Sequence, residues 1–179
     1  MIRFEKVSFK QFKKDMKTFY PLASDASIEY EYEKIKLPKR STIGSAGYDF
    51  YMPFDARIEK LGKDPTNSKH DYLVVPTGIR WVTDRKDIVL ILTPRSGLGF
   101  KKGFFISNTL GVIDSDYAQS SNEGHIMVKF GARIDSIAFQ MGDAFVQGII
   151  LPYITTDDEE EITTVRDGVF GSTDQKAGK

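Results

Sequence analysis

The chain has 179 residues, no cysteine, and 25 basic residues against 25 acidic ones. Disulfide frameworks and thiolate metal sites are thereby excluded, and the balanced charge excludes the broad basic field that nucleic-acid binders use. The length suits one domain with an appendage, and no apolar run approaches the roughly 18 residues of a membrane helix. The opening M-I-R-F-E-K alternates charged and apolar residues and lacks the apolar region of a signal peptide. A soluble, cytoplasmic protein is expected, with neither a membrane nor a nucleic-acid partner.

Residues 8–20 read as a helix. Phe9, Phe12, Met16 and Phe19 recur at three- and four-residue spacing and make one apolar face. Ser8 with Gln11 three positions on matches a capping box. Lys10, Lys13, Lys14 and Lys17 fill the other face, and Pro21 follows closely. Such a helix is expected to pack on the domain or on a neighbouring subunit. Residues 23–33 read as a polar, mildly acidic linker.

From Ile35 the chain becomes a series of short apolar runs broken by Gly, Pro, Asn and Asp. Runs at 72–75, 79–82, 88–93, 104–106, 126–130 and 144–151 each end at such a breaker. Regular short strands with turn signals predict an all-β sandwich or barrel. One further helical turn is expected near 96–102. Residues 59–71 read as a long exposed loop. Residues 155–161, T-T-D-D-E-E-E, form a solvated acidic run, and the remainder is a mobile tail by composition.

Five stretches carry chemistry. Residues 46–49 read A-G-Y-D, a glycine turn feeding a strand. Residues 94–99 read P-R-S-G-L-G, a strand end entering a helical turn, where open N–H groups and Arg95 suit an anion. Residues 108–117 read N-T-L-G-V-I-D-S-D-Y, pictured as a β-hairpin whose tip offers main-chain groups and a carboxylate. Asp114 and Asp116 share a face in an ideal strand, so alternation does not choose between them. Residues 142–147 read G-D-A-F-V-Q, a turn and a strand with one polar side chain. Residues 170–173 read F-G-S-T, in which Phe170 can stack on a base while Gly171, Ser172 and Thr173 cradle phosphate oxygens and Arg166 adds charge.

In this order the five stretches, spanning 46–173, resemble the motifs of the homotrimeric dUTP pyrophosphatase (dUTPase) family. The resemblance implies a distorted jelly-roll with one short internal helix, an N-terminal helical extension (1–33), a β domain (34–155) and a flexible C-terminal arm (156–179) that closes over the active site. It implies three active sites at subunit interfaces and hydrolysis of dUTP to dUMP and pyrophosphate with Mg²⁺. Asp114 then matches the general base that activates water. Tyr117 matches the ring that packs on deoxyribose and excludes a 2′-hydroxyl. Asn108, with the backbone of Gly111, Val112 and Ile113, matches the reader of uracil's edge, and Met127 a further pocket-lining position. Arg95, Ser96 and Gly97 match phosphate contacts, and Gln147 a residue near the α-phosphate. Phe170 matches the ring over uracil; Gly171, Ser172 and Thr173 match the loop around the phosphates. Asp49 matches an acid linked through water to the metal.

The chain departs from the family at several points. Ala144 stands where the fourth motif usually has Arg. Arg166 lies four residues before Phe170 rather than five, Val169 replaces a Gly and Asp174 the last Gly. Residues 118–123 are inserted before Gly124. The alternatives are a dCTP deaminase of the same fold, or a member whose extra segments also bind a regulatory protein.

Overall fold

The computed structural model describes residues 1–63 and 71–160. The chain opens with strand β1 (Ile2–Lys6), helices α1 (Phe9–Phe19) and α2 (Asp25–Lys34), then β2 (Lys39–Arg40), β3 (Tyr48–Tyr51) and β4 (Ala56–Ile58). It continues through β5 (Leu73–Pro76), β6 (Ile79–Thr83), β7 (Ile88–Pro94), helix α3 (Ser96–Lys102), β8 (Phe104–Ile106) and β9 (Gly111–Ile113). A 3₁₀ turn (Tyr117–Gln119) precedes β10 (Met127–Ala132), β11 (Ile137–Phe139) and β12 (Ala144–Pro152).

Every pairing between strands is antiparallel. A five-stranded sheet runs β2-β3-β12-β7-β9, a three-stranded one β5-β10-β8, and two ribbons pair β1 with β6 and β11 with β4. These distorted jelly-roll sheets are the all-β architecture that the turn-punctuated runs predict. The long pair β7–β12 forms the spine: Ile88, Leu90 and Leu92 alternate inward, as a half-buried strand requires. Phe50, Phe130, Phe145 and Trp81 fill the space between sheets with almost no exposure. Burying side chains of this size contributes roughly 1.5–3 kcal/mol each.

The N-terminal part departs from expectation in two ways. Residues 23–33 hold α2 instead of a linker. Ser24 caps it by accepting from the Ser27 N–H at 3.1 Å, and Ile28 is its one buried residue. A helix that buries so little has no apolar stripe, so periodicity does not announce it. The first residues also form strand β1, which adds an edge to β6, while Val7, Phe12, Met16 and Ile28 join the same core as the sheets. The capping box at Ser8 forms only in half. Ser8 Oγ accepts from the Gln11 N–H at 3.1 Å, but the Gln11 amide turns inward to Asp15 Oδ2 at 2.8 Å. Two of the lysines on the polar face, Lys13 and Lys17, pair with Asp25 of α2.

Candidate active site

Three of the five motifs converge at one end of the large sheet. Strand β12 lies between β3 and β7, and its register sets Gln147 opposite Asp49 on one side and Thr93 on the other. Arg95 leaves β7 two residues beyond Thr93. Its Nε reaches Asp49 Oδ1 at 3.0 Å and its Nη1 donates to the Ala144 carbonyl at 3.4 Å. Asp49 is 8% exposed, and its second oxygen accepts from Ser41 Oγ at 2.6 Å. The Gln147 amide donates to the Pro94 carbonyl at 3.2 Å. Gly47 leaves room for the Gln147 side chain here, because a Cβ would run into its amide oxygen. The Arg95 side chain stays 42% exposed, so its outer edge faces solvent although its charge is partly met from within.

Helix α3 starts beside this cluster, with Arg95 as its N-cap. The Gly99 N–H is the first to bond inside the helix, to the Arg95 carbonyl at 2.9 Å, so those of Ser96 and Gly97 precede the ladder and point out of the helix start. Cationic guanidinium, N–H donors and a Gln amide together form an arrangement suited to phosphate oxygens.

The third motif is built differently from the expected hairpin. Strand β8 pairs with β10 and β9 pairs with β7, so the turn at 107–110 joins two sheets. Asn108 begins that turn; its carbonyl accepts from the Leu110 N–H at 2.6 Å, and Thr109 sits at φ 65°. The Ser107 N–H bonds the Lys129 carbonyl at 2.8 Å, which continues the β8–β10 register toward Met127 and brings Met127 alongside the turn. Gly111 allows β9 to close on β7, since a Cβ would stand 2.9 Å from that of Leu92.

Strand β9 ends at Ile113, and a turn follows at once. Asp114 is exposed just past the strand end, whereas Asp116 is half-buried at the head of the 3₁₀ turn. The two acids therefore do not share a strand face. Tyr117 is only 3% exposed; its hydroxyl accepts from Asn122 Nδ2 at 3.0 Å and lies 3.3 Å from the His125 carbonyl. Its ring belongs to the core.

The register also separates the motifs. Ile113 pairs with Leu90, so Asp114 follows the line of Val89, six residues along β7 from Arg95. At about 3.3 Å per residue that is about 20 Å. The chain thus gathers Asp49, Arg95, Ser96, Gly97 and Gln147 at one end and places Asp114 and Tyr117 toward the other, with Asn108, Gly111, Val112 and Met127 between. Arg166, Phe170, Gly171, Ser172 and Thr173 lie outside the described residues. Ser41 is a contributor that the sequence did not flag, because its link to Asp49 arises only when β2 pairs with β3.

The distorted antiparallel jelly-roll sheets are those of the dUTPase-like nucleotide hydrolases. The dUTPase family model matches residues 33–174, and the chain belongs to the dUTPase family. It is a dUTP diphosphatase, like its relatives. The deoxyuridine 5′-triphosphate nucleotidohydrolase of Lactococcus lactis is 34% identical over 148 residues, 81% of this chain and 92% of its own length. That of Aeromonas salmonicida is 35% identical over 153 residues, 83% of this chain and 91% of its own. The crystal structure of the Streptococcus mutans dUTPase superposes with a TM-score of 0.59 at 27% identity, covering 87% of this chain and 98% of that one. A dUTPase from phage phi11 of S. aureus shares the fold at 16% identity and a TM-score of 0.57, over 92% of this chain and 97% of its own; it coordinates a structural Mg(II) ion.

Proposed function

We propose that the enzyme splits dUTP into dUMP and pyrophosphate by attack of water on the α-phosphorus, with Asp114 as the general base. The single observation that carries this assignment is the exposed position of Asp114 at the end of an edge strand, beside a turn that offers main-chain donors and acceptors. A carboxylate exposed at a strand end can lie within hydrogen-bond reach of an attacking water and accept its proton. Asp116 is half-buried at the head of the 3₁₀ turn and less open to solvent than Asp114.

In this reading Asn108 and the β9 backbone read uracil's edge. Donation to O4 would favour uracil, because cytosine carries an amino group there. Tyr117, fixed by Asn122, sets the wall against which deoxyribose rests. Arg95, the Ser96 and Gly97 N–H groups and Gln147 hold the phosphates. Since Asp114 and Arg95 stand about 20 Å apart along one chain, the base of one copy acts with the phosphate cluster of another. That division supports a homotrimer with sites between subunits. The arm bearing Arg166 and Phe170–Thr173 closes over the site.

Among the described residues no group of three or more His, Asp or Glu side chains could cage a metal. Asp49 supplies hard carboxylate oxygens at the phosphate cluster, which fits an Mg²⁺ held mainly by the substrate's own oxygens and reached from Asp49 through water. Such an ion, when bound, would neutralise part of the triphosphate charge.

The deciding experiment measures pyrophosphate and ammonia from dUTP, dCTP, dTTP and UTP with Mg²⁺, beside Asp114→Asn. Pyrophosphate from dUTP alone, lost in the variant, is expected. Ammonia from dCTP would transfer the fold to the deaminase reading, and an active Asp114→Asn would remove the base from Asp114.

A further inference from the structure

We infer that Ser41 is a positioning residue for substrate phosphate, acting through Asp49 on Arg95. The inference rests on the reading of Arg95 as a phosphate contact and deepens it.

Arg95 and Asp49 form an ion pair inside a site that must accept an anion, and this creates a conflict. A carboxylate free to turn would present both oxygens to the guanidinium in the fork-to-fork geometry these groups prefer. That arrangement would occupy the nitrogens needed for phosphate. In the structure it does not form. Asp49 Oδ1 meets Arg95 at Nε and 3.0 Å, while Oδ2 is held by the Ser41 hydroxyl at 2.6 Å. The Ala144 carbonyl takes Nη1 at 3.4 Å, which fixes the guanidinium plane. Ser41 therefore keeps the Asp49–Arg95 contact one-sided and leaves the outer edge of Arg95 to the ligand.

The surroundings hold Ser41 where this requires. Strand β2 pairs Lys39 with Asp49 and Arg40 with Tyr48, so Ser41 emerges beside the acid. Arg40 Nη1 then ties down the following loop, donating to the carbonyls of Ile43 at 3.1 Å and Ser45 at 3.2 Å. Thr42 and Ser45 share a hydrogen bond between their hydroxyls at 2.7 Å. The hydroxyl thus comes from a braced loop and needs little ordering on binding.

The test compares wild type with Ser41→Ala, Ser41→Thr, Arg95→Ala, Asp49→Ala and the pair Ser41→Ala/Asp49→Ala. Steady-state dUTP hydrolysis is measured at fixed Mg²⁺, and binding of inorganic pyrophosphate is measured by calorimetry in EDTA. Loss of one hydrogen bond to a charged group predicts that Ser41→Ala raises KM about five- to tenfold and weakens pyrophosphate by a similar factor, with kcat within about twofold. Ser41→Thr restores both. In the Asp49→Ala background, removing Ser41 adds nothing. A thermal midpoint unchanged in Ser41→Ala shows that the fold is intact. If Arg95→Ala raises KM while Ser41→Ala matches wild type in KM and pyrophosphate affinity, the role of Ser41 is overturned and that of Arg95 stands. If Arg95→Ala itself leaves both quantities unchanged, the underlying phosphate assignment fails. A Ser41→Ala effect that persists in the Asp49→Ala background would also overturn the proposal.

Discussion

His125 Nδ1 lies 2.6 Å from Asp15 Oδ2, and this fully buried ring joins helix α1 to the segment that follows the 3₁₀ turn. The Gly78 N–H donates to His125 Nε2 at 2.8 Å, so that nitrogen carries a lone pair and the proton resides on Nδ1. The ring is a neutral donor to Asp15. A few residues away, Glu123 accepts from the Ser8 N–H at 2.7 Å and the Ser8 hydroxyl at 2.6 Å. The N-terminal extension and the insertion at 118–123 are thus two halves of one contact.

Asp15→Ala is expected to destabilise the protein by about 2–3 kcal/mol, because it leaves the His125 donor and the Gln11 amide buried without their acceptor. Urea unfolding followed by Trp81 fluorescence measures this. Trp81 lies on β6, which pairs with β1, so its signal reports loosening of the N-terminal segment.

The pH dependence of that contact has a definite sign. Burial alone would raise Asp15, but hydrogen bonds from His125 and Gln11 outweigh it and hold the carboxyl below its ordinary value. Burial likewise opposes, and the two Ser8 hydrogen bonds outweigh it, at Glu123, which is also depressed. Acids depressed by folding add stability above their unfolded pKa values, and that stability is lost as pH falls through their folded values. Thermal midpoints should therefore drop below about pH 4, and by less in Asp15→Ala/Glu123→Ala than in wild type.

Glu31 shows the opposite sign. Burial raises its carboxyl against a hydrogen bond from Ser27 to Oε1, Asp55 adds to the rise, and Oε2 is buried without a hydrogen-bond partner among the described residues. Ionisation there costs stability once pH exceeds the unfolded value. Glu31→Gln is expected to raise the thermal midpoint at pH 7, with the gain shrinking as pH falls below about 4, where the wild-type carboxyl becomes protonated in both states. A variant less stable at both pH values would overturn this.

Gly47→Ala should impair hydrolysis without harming the fold. Its methyl would displace the end of the flexible Gln147 side chain from the Pro94 carbonyl, while the backbone needs no change. KM for dUTP is expected to rise several-fold, with circular dichroism and the thermal midpoint close to wild type. An unchanged KM would separate Gln147 from substrate binding.

Much of the architecture was legible in the chain. The apolar runs from 72 to 151 became strands within a residue or two, because short alternating segments between Gly, Pro and Asn have few other outcomes. Helix α1 was legible from its single apolar face, and its cap from Ser8. Helix α2 was not, because Ile28 alone buries and a helix stripe needs more than one residue. The partner of Ser8 was not either, since Glu123 lies 115 residues away.

The residue types of the site were also present in the sequence. Asn108, Asp114 and Tyr117 follow in fixed order, as do Arg95, Ser96 and Gly97, and spacing along the chain is enough to relate them to a family. Only the tertiary structure decided which of them meet. Antiparallel pairing of β3, β12 and β7 brought Asp49, Gln147 and Arg95 together from distant positions, and the pairing of β2 with β3 delivered Ser41 to Asp49. The same register carried Asp114 away from Arg95, and a turn after Ile113 separated it from Asp116. Local sequence sets what a strand offers on each face; the neighbour it pairs with, and in which register, depends on the whole core being buried at once.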